Sequence, residues 1–315
     1  MVYGITGNPH KNQLWSPVAE LVAWLMRRDL PFTLDPAIAD GLVQRDLVGP
    51  AVCEEHVADD FSSRADVILS FGGDGTMLRT AHEAGPNHTP ILGVNIGRLG
   101  FLADIEVEAI TDAIDHLEAG QYAIENRMVL EGSVSGGPSL DTPWALNEFV
   151  IDRSGAAGLV KIAVRVDGTP LNTYWADGLI IATPTGSTAY SLSSGGPIIA
   201  PGTDAMIITP IAPHTLTVRP LVLPSTVEIE AQVLDGTQPY VLAVDGRSTV
   251  FEEYGASIRI RRAEHPVPLV KLPDQHFFKT LRSKLMWGAR SHMEDPIPPT
   301  SEGAAPGSSK AVSSS

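Results

Sequence analysis

Residues 66–77 read Asp-Val-Ile-Leu-Ser-Phe-Gly-Gly-Asp-Gly-Thr-Met. The run from Val67 to Phe71 is short, apolar and rich in β-formers, and it stops at a glycine, which predicts a buried strand. Two glycines, an acid and a third glycine follow, and Met77–Ala84 then reads as a helix. Small residues between strand and helix let backbone N–H groups approach phosphate oxygens, and the helix N-terminus adds partial positive charge. Asp74 in such a nest would repel phosphates unless it had a task, such as accepting a proton or meeting a metal. The alternative is a tight turn with Asp74 as a helix cap. The loop is neither a Gly-x-x-x-x-Gly-Lys-Ser/Thr phosphate loop nor a Gly-x-Gly-x-x-Gly dinucleotide fingerprint.

Outward from this stretch the first hundred residues alternate. Val2–Ile5 is strand-like, and Leu14, Val18, Leu21, Val22 and Leu25 recur at helical spacing up to Arg28. Pro90–Val94 is the next strand, followed by a second glycine-rich turn, Gly93–Phe101. This alternation predicts a Rossmann-like α/β domain over residues 1–120, a parallel sheet with helices on its faces. The carboxyl ends of neighbouring strands in such a sheet form the ligand crevice, so both glycine turns are expected to face one ligand. From residue 121 to 274 the texture changes. Met128–Val134, Leu159–Val166, Gly178–Ala182, Val227–Val233, Tyr240–Val244 and Ser257–Ile260 are short, β-branched runs bounded by Gly, Pro or Asp. They predict a β-rich, β-sandwich-like second domain. Gln275–Trp287 is a last amphipathic helix, and residues 291–315, rich in Pro, Ser, Gly and Ala, are expected to be disordered.

Composition narrows the function classes. The chain has 315 residues, is 43% hydrophobic and carries a formal net charge of −15, with 37 acids against 22 Lys and Arg. Such acidity disfavours a nucleic-acid binder, whose footprint is a basic patch. The single cysteine, Cys53, excludes an internal disulfide framework and a multi-cysteine zinc site. No apolar run approaches the roughly 18 residues of a membrane span, and the first residues lack the pattern of a secretory leader. A cytoplasmic protein without membrane or nucleic-acid partners is expected. Only six of the 22 cations are Lys, which suits either a high-salt cytoplasm or an ordinary solvated surface.

The β-rich half holds two further candidate segments, Leu146-Asn-Glu-Phe149 and the stretch from Ala176 to Pro197. The latter packs Thr183, Thr185, Ser187, Thr188, Tyr190, Ser191, Ser193 and Ser194 around four glycines and two prolines. Hydroxyls and free amides at that density suit a polyhydroxylated or phosphorylated ligand. His82 and His88 show no metal-ligand spacing and read as helix-surface or loop residues. No metal-ligating residues are assigned.

Gly72–Thr76, Asn95–Leu102, Asn147-Glu148, and Asp177 through Ser191 stand in the order and spacing found in the NAD kinases, which the sequence resembles over residues 66–285. The long Thr-Pro-Thr-Gly-Ser-Thr-Ala-Tyr-Ser run is the most specific part of the match. The resemblance implies transfer of the γ-phosphoryl group of ATP (in some members another nucleotide or polyphosphate is the donor) to the 2′-hydroxyl of the adenosine ribose of NAD, giving NADP. It implies Asp74 as the catalytic aspartate, with Asp74 and Gly75 also contacting NAD. Asn147 and Glu148 match the pair that holds the adenosine side. Asp177, Thr188, Ala189, Tyr190, Ser191, Leu192 and Ser193 match positions lining the dinucleotide, with Tyr190 the expected ring contact. Arg79 sits where some members carry a phosphate-facing cation, and Arg247 falls near another NAD-contacting position. Trp175 stands where some members have a basic residue, and Ser154–Gly158 is small and neutral. His214 matches a recurring histidine; the site, a subunit interface and a buried imidazole all stay open for it. The resemblance further implies a divalent cation (Mg²⁺), a homodimer or homotetramer, and a last helix, about 275–288, that completes the first domain. The competing readings are a non-catalytic NAD(H)-binding regulator and a lipid kinase sharing the Gly-Gly-Asp-Gly-Thr loop.

Overall fold

The computed structural model describes residues 1–287 apart from 98, 104, 155–157, 236–238 and 274. The tail expected to be disordered, 291–315, lies outside the described residues. The apolar run that ends at Gly72 forms a strand, Val67–Gly72, buried along its whole length at the middle of a sheet. Among the described residues that sheet has seven strands. Phe32–Leu34, Tyr3–Gly7, Val67–Gly72, Ile91–Asn95, Val267–Lys271 and Ala123–Arg127 follow one another across it, and Ile105–Glu106 pairs with the end of Ile91–Asn95. All its pairings are parallel except the last, between Val267–Lys271 and Ala123–Arg127. A parallel sheet needs cover on both faces, and the helices supply it. Trp15–Arg27 buries Val18, Leu21, Val22 and Leu25, a stripe at the spacing read from the sequence. Pro36–Gln44 starts with proline at its first position, after Asp35 has accepted the Ala37 N–H at 2.8 Å.

The β-rich half consists of two antiparallel sheets. One runs through Thr169–Ala176, Val160–Val166, Ile229–Asp235, Ser257–Arg262, Leu130–Ser135 and Trp144–Ala145. The other runs through Leu221–Pro224, Ala205–Ile211, Gly178–Ala182, Glu148–Arg153, Tyr240–Val244 and Arg247–Phe251. Ile162, Ala231 and Ile258 of the first share one apolar core with Phe149, Ile181 and Leu242 of the second, which makes the pair a sandwich. In Val160–Val166 the residues Val160, Ile162 and Val164 are buried, while Lys161 and Ala163 between them are half-buried. Gly178–Ala182, by contrast, is buried throughout because its outer face is also covered. Ile180, Ala182 and Ile207 pack there with Ile199 of the segment that follows Gly178–Ala182. That second cover accounts for the unbroken Leu-Ile-Ile run.

Two strands inside the 121–274 span, Ala123–Arg127 and Val267–Lys271, join the parallel sheet and not the sandwich. Val267, Leu269 and Val270 are each 2% exposed, so the returning strand is held by burial within that sheet. The last helix, Phe277–Leu285, buries Leu281 and brings Phe277 against Phe101. A further apolar cluster joins the two halves, with Met77, Ala81 and Ala84 packed against Val129, Leu146 and Ala263.

Leu242→Ala opens a cavity between the two antiparallel sheets, where Leu242 has no exposed surface. Urea unfolding should show a loss of about 2–5 kcal/mol.

Candidate functional site

The helix Asp74–Ala84 begins three residues earlier than its apolar spacing suggests, with Gly73 as its N-cap. Its entry is tight. A Cβ on Gly72 would lie 2.1 Å from the Thr76 hydroxyl, so only glycine lets the strand turn into the helix there. Asp74 does not cap its own helix. Its carboxylate crosses to the second glycine turn, where Oδ2 accepts the Phe101 N–H at 3.0 Å and Oδ1 the Leu102 N–H at 2.9 Å. Gly100 makes that approach possible, since a Cβ there would sit 2.1 Å from Asp74 Oδ1. Lys284, on the last helix, reaches Asp74 Oδ2 at 3.3 Å. The two glycine turns therefore do meet, and Asp74 is where they meet. Gly75 is exposed beside it.

A cleft of about 460 Å³ opens beside this loop, lined by Asn8, Pro9, His10, Lys11, Gly73, Gly75, Thr76 and Arg79. Arg79 donates to the Gly7 carbonyl and lies 3.7 Å from Glu83, one helical turn on. Backbone amides at a helix start with two cations beside them form an anion-binding concavity.

Sequence reasoning missed the side chain that joins the two halves. Asp245 lies in the two-residue turn between Tyr240–Val244 and Arg247–Phe251, with φ +47°, and Gly246 follows at +84°. Its carboxylate is fully buried. It accepts three consecutive backbone N–H groups, from Leu146 at 2.7 Å, Asn147 at 2.9 Å and Glu148 at 3.1 Å. His82 Nε2 donates to the same carboxylate at 3.0 Å. The His82 side chain is 4% exposed and its ring lies 3.9 Å from that of Trp144, so the helix-surface reading of His82 is corrected. The helix face it occupies is covered by the second half, which its local sequence does not reveal. His82 stands eight residues after Asp74, about 12 Å along the helix axis.

Asn147 and Glu148 are thus held by their own backbone. Both are buried, at 7% and 8% exposure. The Asn147 carbonyl accepts the Thr183 N–H at 2.8 Å, and a Cβ on Gly186 would meet that carbonyl oxygen at 2.2 Å. Glu148 Oε2 has no hydrogen-bond partner among the described residues. Burial, with a smaller contribution from the Asp245 charge, pushes the Glu148 carboxyl up to about 8. Arg127, 4% exposed, pairs with Glu125 at 2.9 Å and reaches the Thr185 hydroxyl at 3.4 Å, which ties the first sheet to the hydroxyl-rich segment.

That segment is only partly available to a ligand. Thr183, Ser187 and Ser191 have no exposed surface. The Thr183 hydroxyl bonds the Leu146 carbonyl, Ser187 the Pro184 carbonyl, and Ser191 the Thr209 hydroxyl at 2.8 Å. Tyr190 and Ser193 are exposed, and Thr188, Ala189 and Leu192 are half-buried. Burial raises the Tyr190 hydroxyl, with Asp152 and Asp177 adding to the shift. Asp177 pairs with Arg153 at 3.0 Å. Trp175 is not without a charge nearby, because Lys161, opposite it on the neighbouring strand, places its ammonium 5.1 Å from the ring centre. His214 is exposed, with its backbone N–H on the Trp175 carbonyl, so the buried-imidazole alternative is excluded. Arg247 is exposed and donates to the Thr142 hydroxyl at 3.1 Å. Residues 155–157, within the small neutral segment, lie outside the described residues.

Glu148 binds its proton more tightly folded than unfolded, so its contribution to stability is full below the unfolded value near 4.5 and is lost as pH rises through about 8. Melting curves from pH 5 to 8.5 should therefore fall with pH more steeply for the native chain than for Glu148→Gln.

Comparison with known proteins places the chain in a family. Residues 3–122 match the model of the ATP-NAD kinase N-terminal domain and residues 146–272 that of the C-terminal domain. A protein of Cytophaga hutchinsonii named NAD kinase is 34% identical over 288 residues, covering 91% of this chain and 98% of its own. One of Gemmatimonas aurantiaca with the same name is 46% identical over 228 residues, 72% of this chain and 79% of its own. Among solved structures, yeast NADH kinase complexed with NADH superposes with a TM-score of 0.82 at 24% identity, over 94% of this chain and 90% of its own, a likeness of fold. An NAD kinase of Archaeoglobus fulgidus in complex with ATP gives 0.70 at 25% identity, over 91% and 99%. With both domain models matched and these relatives covering most of its length, the chain belongs to the NAD kinase family.

Proposed function

We propose that the chain transfers the γ-phosphoryl group of ATP to the 2′-hydroxyl of the adenosine ribose of NAD, giving NADP, with Asp74 as general base. The observation that carries this reading is the Asp74 carboxylate, set at a helix start where two glycine turns meet and next to a cleft lined by Lys11, Thr76 and Arg79. In the reaction the proton leaves the ribose O2′ for Asp74, the O2′–P bond forms, the bridging P–O bond breaks, and ADP departs with that electron pair. Phosphoryl transfer asks the protein for placement and charge neutralisation more than for covalent chemistry. A well-placed base typically contributes about a hundred- to ten-thousand-fold. The Archaeoglobus relative, an NAD kinase in complex with ATP, supports both substrates.

Asn147 and Glu148 hold the adenosine side of NAD. Glu148 suits that role near neutral pH because its protonated carboxyl can donate as well as accept, and its buried Oε2 has no partner of its own among the described residues. Tyr190 supplies the ring contact, with Gly75, Asp177, Thr188, Ala189, Leu192 and Ser193 around the dinucleotide. Ser191 supports that segment from beneath through Thr209. Arg79 faces the donor phosphates, and Arg247 meets the NAD side.

Among the described residues no three His, Cys, Asp or Glu side chains converge to cage a metal. Asp74 is the carboxylate of this chain that would help hold a divalent ion, Mg²⁺ in this reading, an ion that needs few protein ligands. When bound it neutralises phosphate charge. The working form is a homodimer or homotetramer; Trp175 and Leu216, 52% and 88% exposed, are apolar side chains that such an interface would cover. A cytoplasmic location is part of this reading; among the described residues no helix is long and apolar enough to cross a membrane.

Purified chain supplied with NAD, ATP and Mg²⁺ should form NADP. Asp74→Asn should cut turnover by about a hundredfold or more while leaving the NAD dissociation constant within a few-fold. Absence of NADP from the native chain, or undiminished turnover in the variant, overturns the reading. Tyr190→Ala should instead weaken NAD binding, as read by calorimetric titration, and affect kcat less.

A further inference from the structure

We propose that Lys284 is a positioning residue for phosphoryl transfer, holding the Asp74 carboxylate in its working place, so that the last helix belongs to the catalytic apparatus. This rests on the reading of Asp74 as the base. Lys284 stands 210 residues from Asp74 in the chain, yet its Nζ lies 3.3 Å from Oδ2, the oxygen that also accepts the Phe101 N–H. Several independent contacts deliver it there. Leu281, one turn earlier, is buried; Phe277 packs its ring against Phe101 at 6.5 Å; and the Lys284 ammonium lies 4.9 Å from the centre of the Phe101 ring. The lysine sits in the last turn of its helix, where the helix dipole favours a cation.

The arrangement is better suited to placement than to folding. Lys284 and Asp74 side chains are 32% and 33% exposed, and ion pairs so wetted add little stability. What the pair adds is a third donor on a carboxylate already bonded to the Phe101 and Leu102 N–H groups. With two amides and the ammonium on its two oxygens, rotation of the carboxylate is restricted while part of it stays open to solvent. In the transfer step the proton passes from O2′ to Asp74; Lys284 keeps its own proton and makes no covalent bond. Sub-ångström placement of a base is worth orders of magnitude in rate, so a residue that touches only the base can govern kcat.

The test compares Lys284→Met, Lys284→Arg and Asp74→Asn in the full chain. Lys284→Met should lower kcat by about 10- to 100-fold with the KM for NAD within about three-fold, the signature of an interaction that matters in the transition state. Its melting temperature should stay at the native value, and Lys284→Arg should recover most of the lost kcat. Native kcat in Lys284→Met, or a loss that tracks a fall in melting temperature and is not recovered by arginine, overturns the proposal. If Asp74→Asn is inactive while Lys284→Met is fully active, only the role of Lys284 fails. If Asp74→Asn keeps native turnover, the base assignment fails, and the role of Lys284 falls with it.

Discussion

One buried carboxylate holds the two halves of the molecule in register. Asp245 accepts the N–H groups of Leu146, Asn147 and Glu148 and a hydrogen bond from His82, so a hairpin turn, the entry to a neighbouring strand and a helix of the other half all converge on it. A carboxylate with no exposed surface is tolerable only when its oxygens are satisfied, and here four donors satisfy them. Removing it would strand three buried N–H groups at once, each costing about 1–3 kcal/mol. The residue type follows from two demands. The turn needs a positive φ, which Asp tolerates better than most side chains, and the amides need an acceptor with two oxygens.

From that anchor the rest of the site can be traced. Fixing the backbone of 146–148 fixes the Asn147 carbonyl, which receives the Thr183 N–H and leaves no room for a side chain at 186. The turn 183–188 is then set, and the segment beyond it lies over the outer face of the sheet through Ile199. Ser187 and Ser191 hold that cover down from below. The density of hydroxyls in this segment therefore has two causes. Some bind its own carbonyls so that a glycine-rich chain can lie on a hydrophobic sheet, and others remain exposed on its upper side.

Much of this was legible in the sequence because it is local. The Val67–Phe71 run, the stripe Val18, Leu21, Val22 and Leu25, and the short β-branched runs from Val160 to Val244 carry their periodicity within a few residues, and they form the elements expected of them. The helix after the first glycine turn begins at Asp74, not Met77; Asp, Gly and Thr are poor helix formers, so local propensity carries no sign of the extra turn that tertiary contacts impose. The features that stayed hidden are contacts over long separations. Nothing near His82 announces Asp245, 163 residues away. Only the fold shows that the acid of the Val-Asp-Gly-Arg turn points inward. Lys284 looks like any solvated cation in a last helical turn. Ala123–Arg127 is mostly exposed or half-buried, so its composition does not mark it as part of the parallel sheet.

The return of Val267–Lys271 to the first sheet, between Ile91–Asn95 and Ala123–Arg127, constrains the order in which the protein can be completed. The edge strand Ala123–Arg127 reaches the parallel sheet only through this late strand. On the ribosome, the N-terminal half cannot close its sheet when its own residues have emerged; it must wait through synthesis of the whole sandwich. The sandwich, whose strands all lie between residues 130 and 262, has no such dependence. Folding during synthesis would thus run against the usual N-to-C order, with the inserted half finished first and the N-terminal half last.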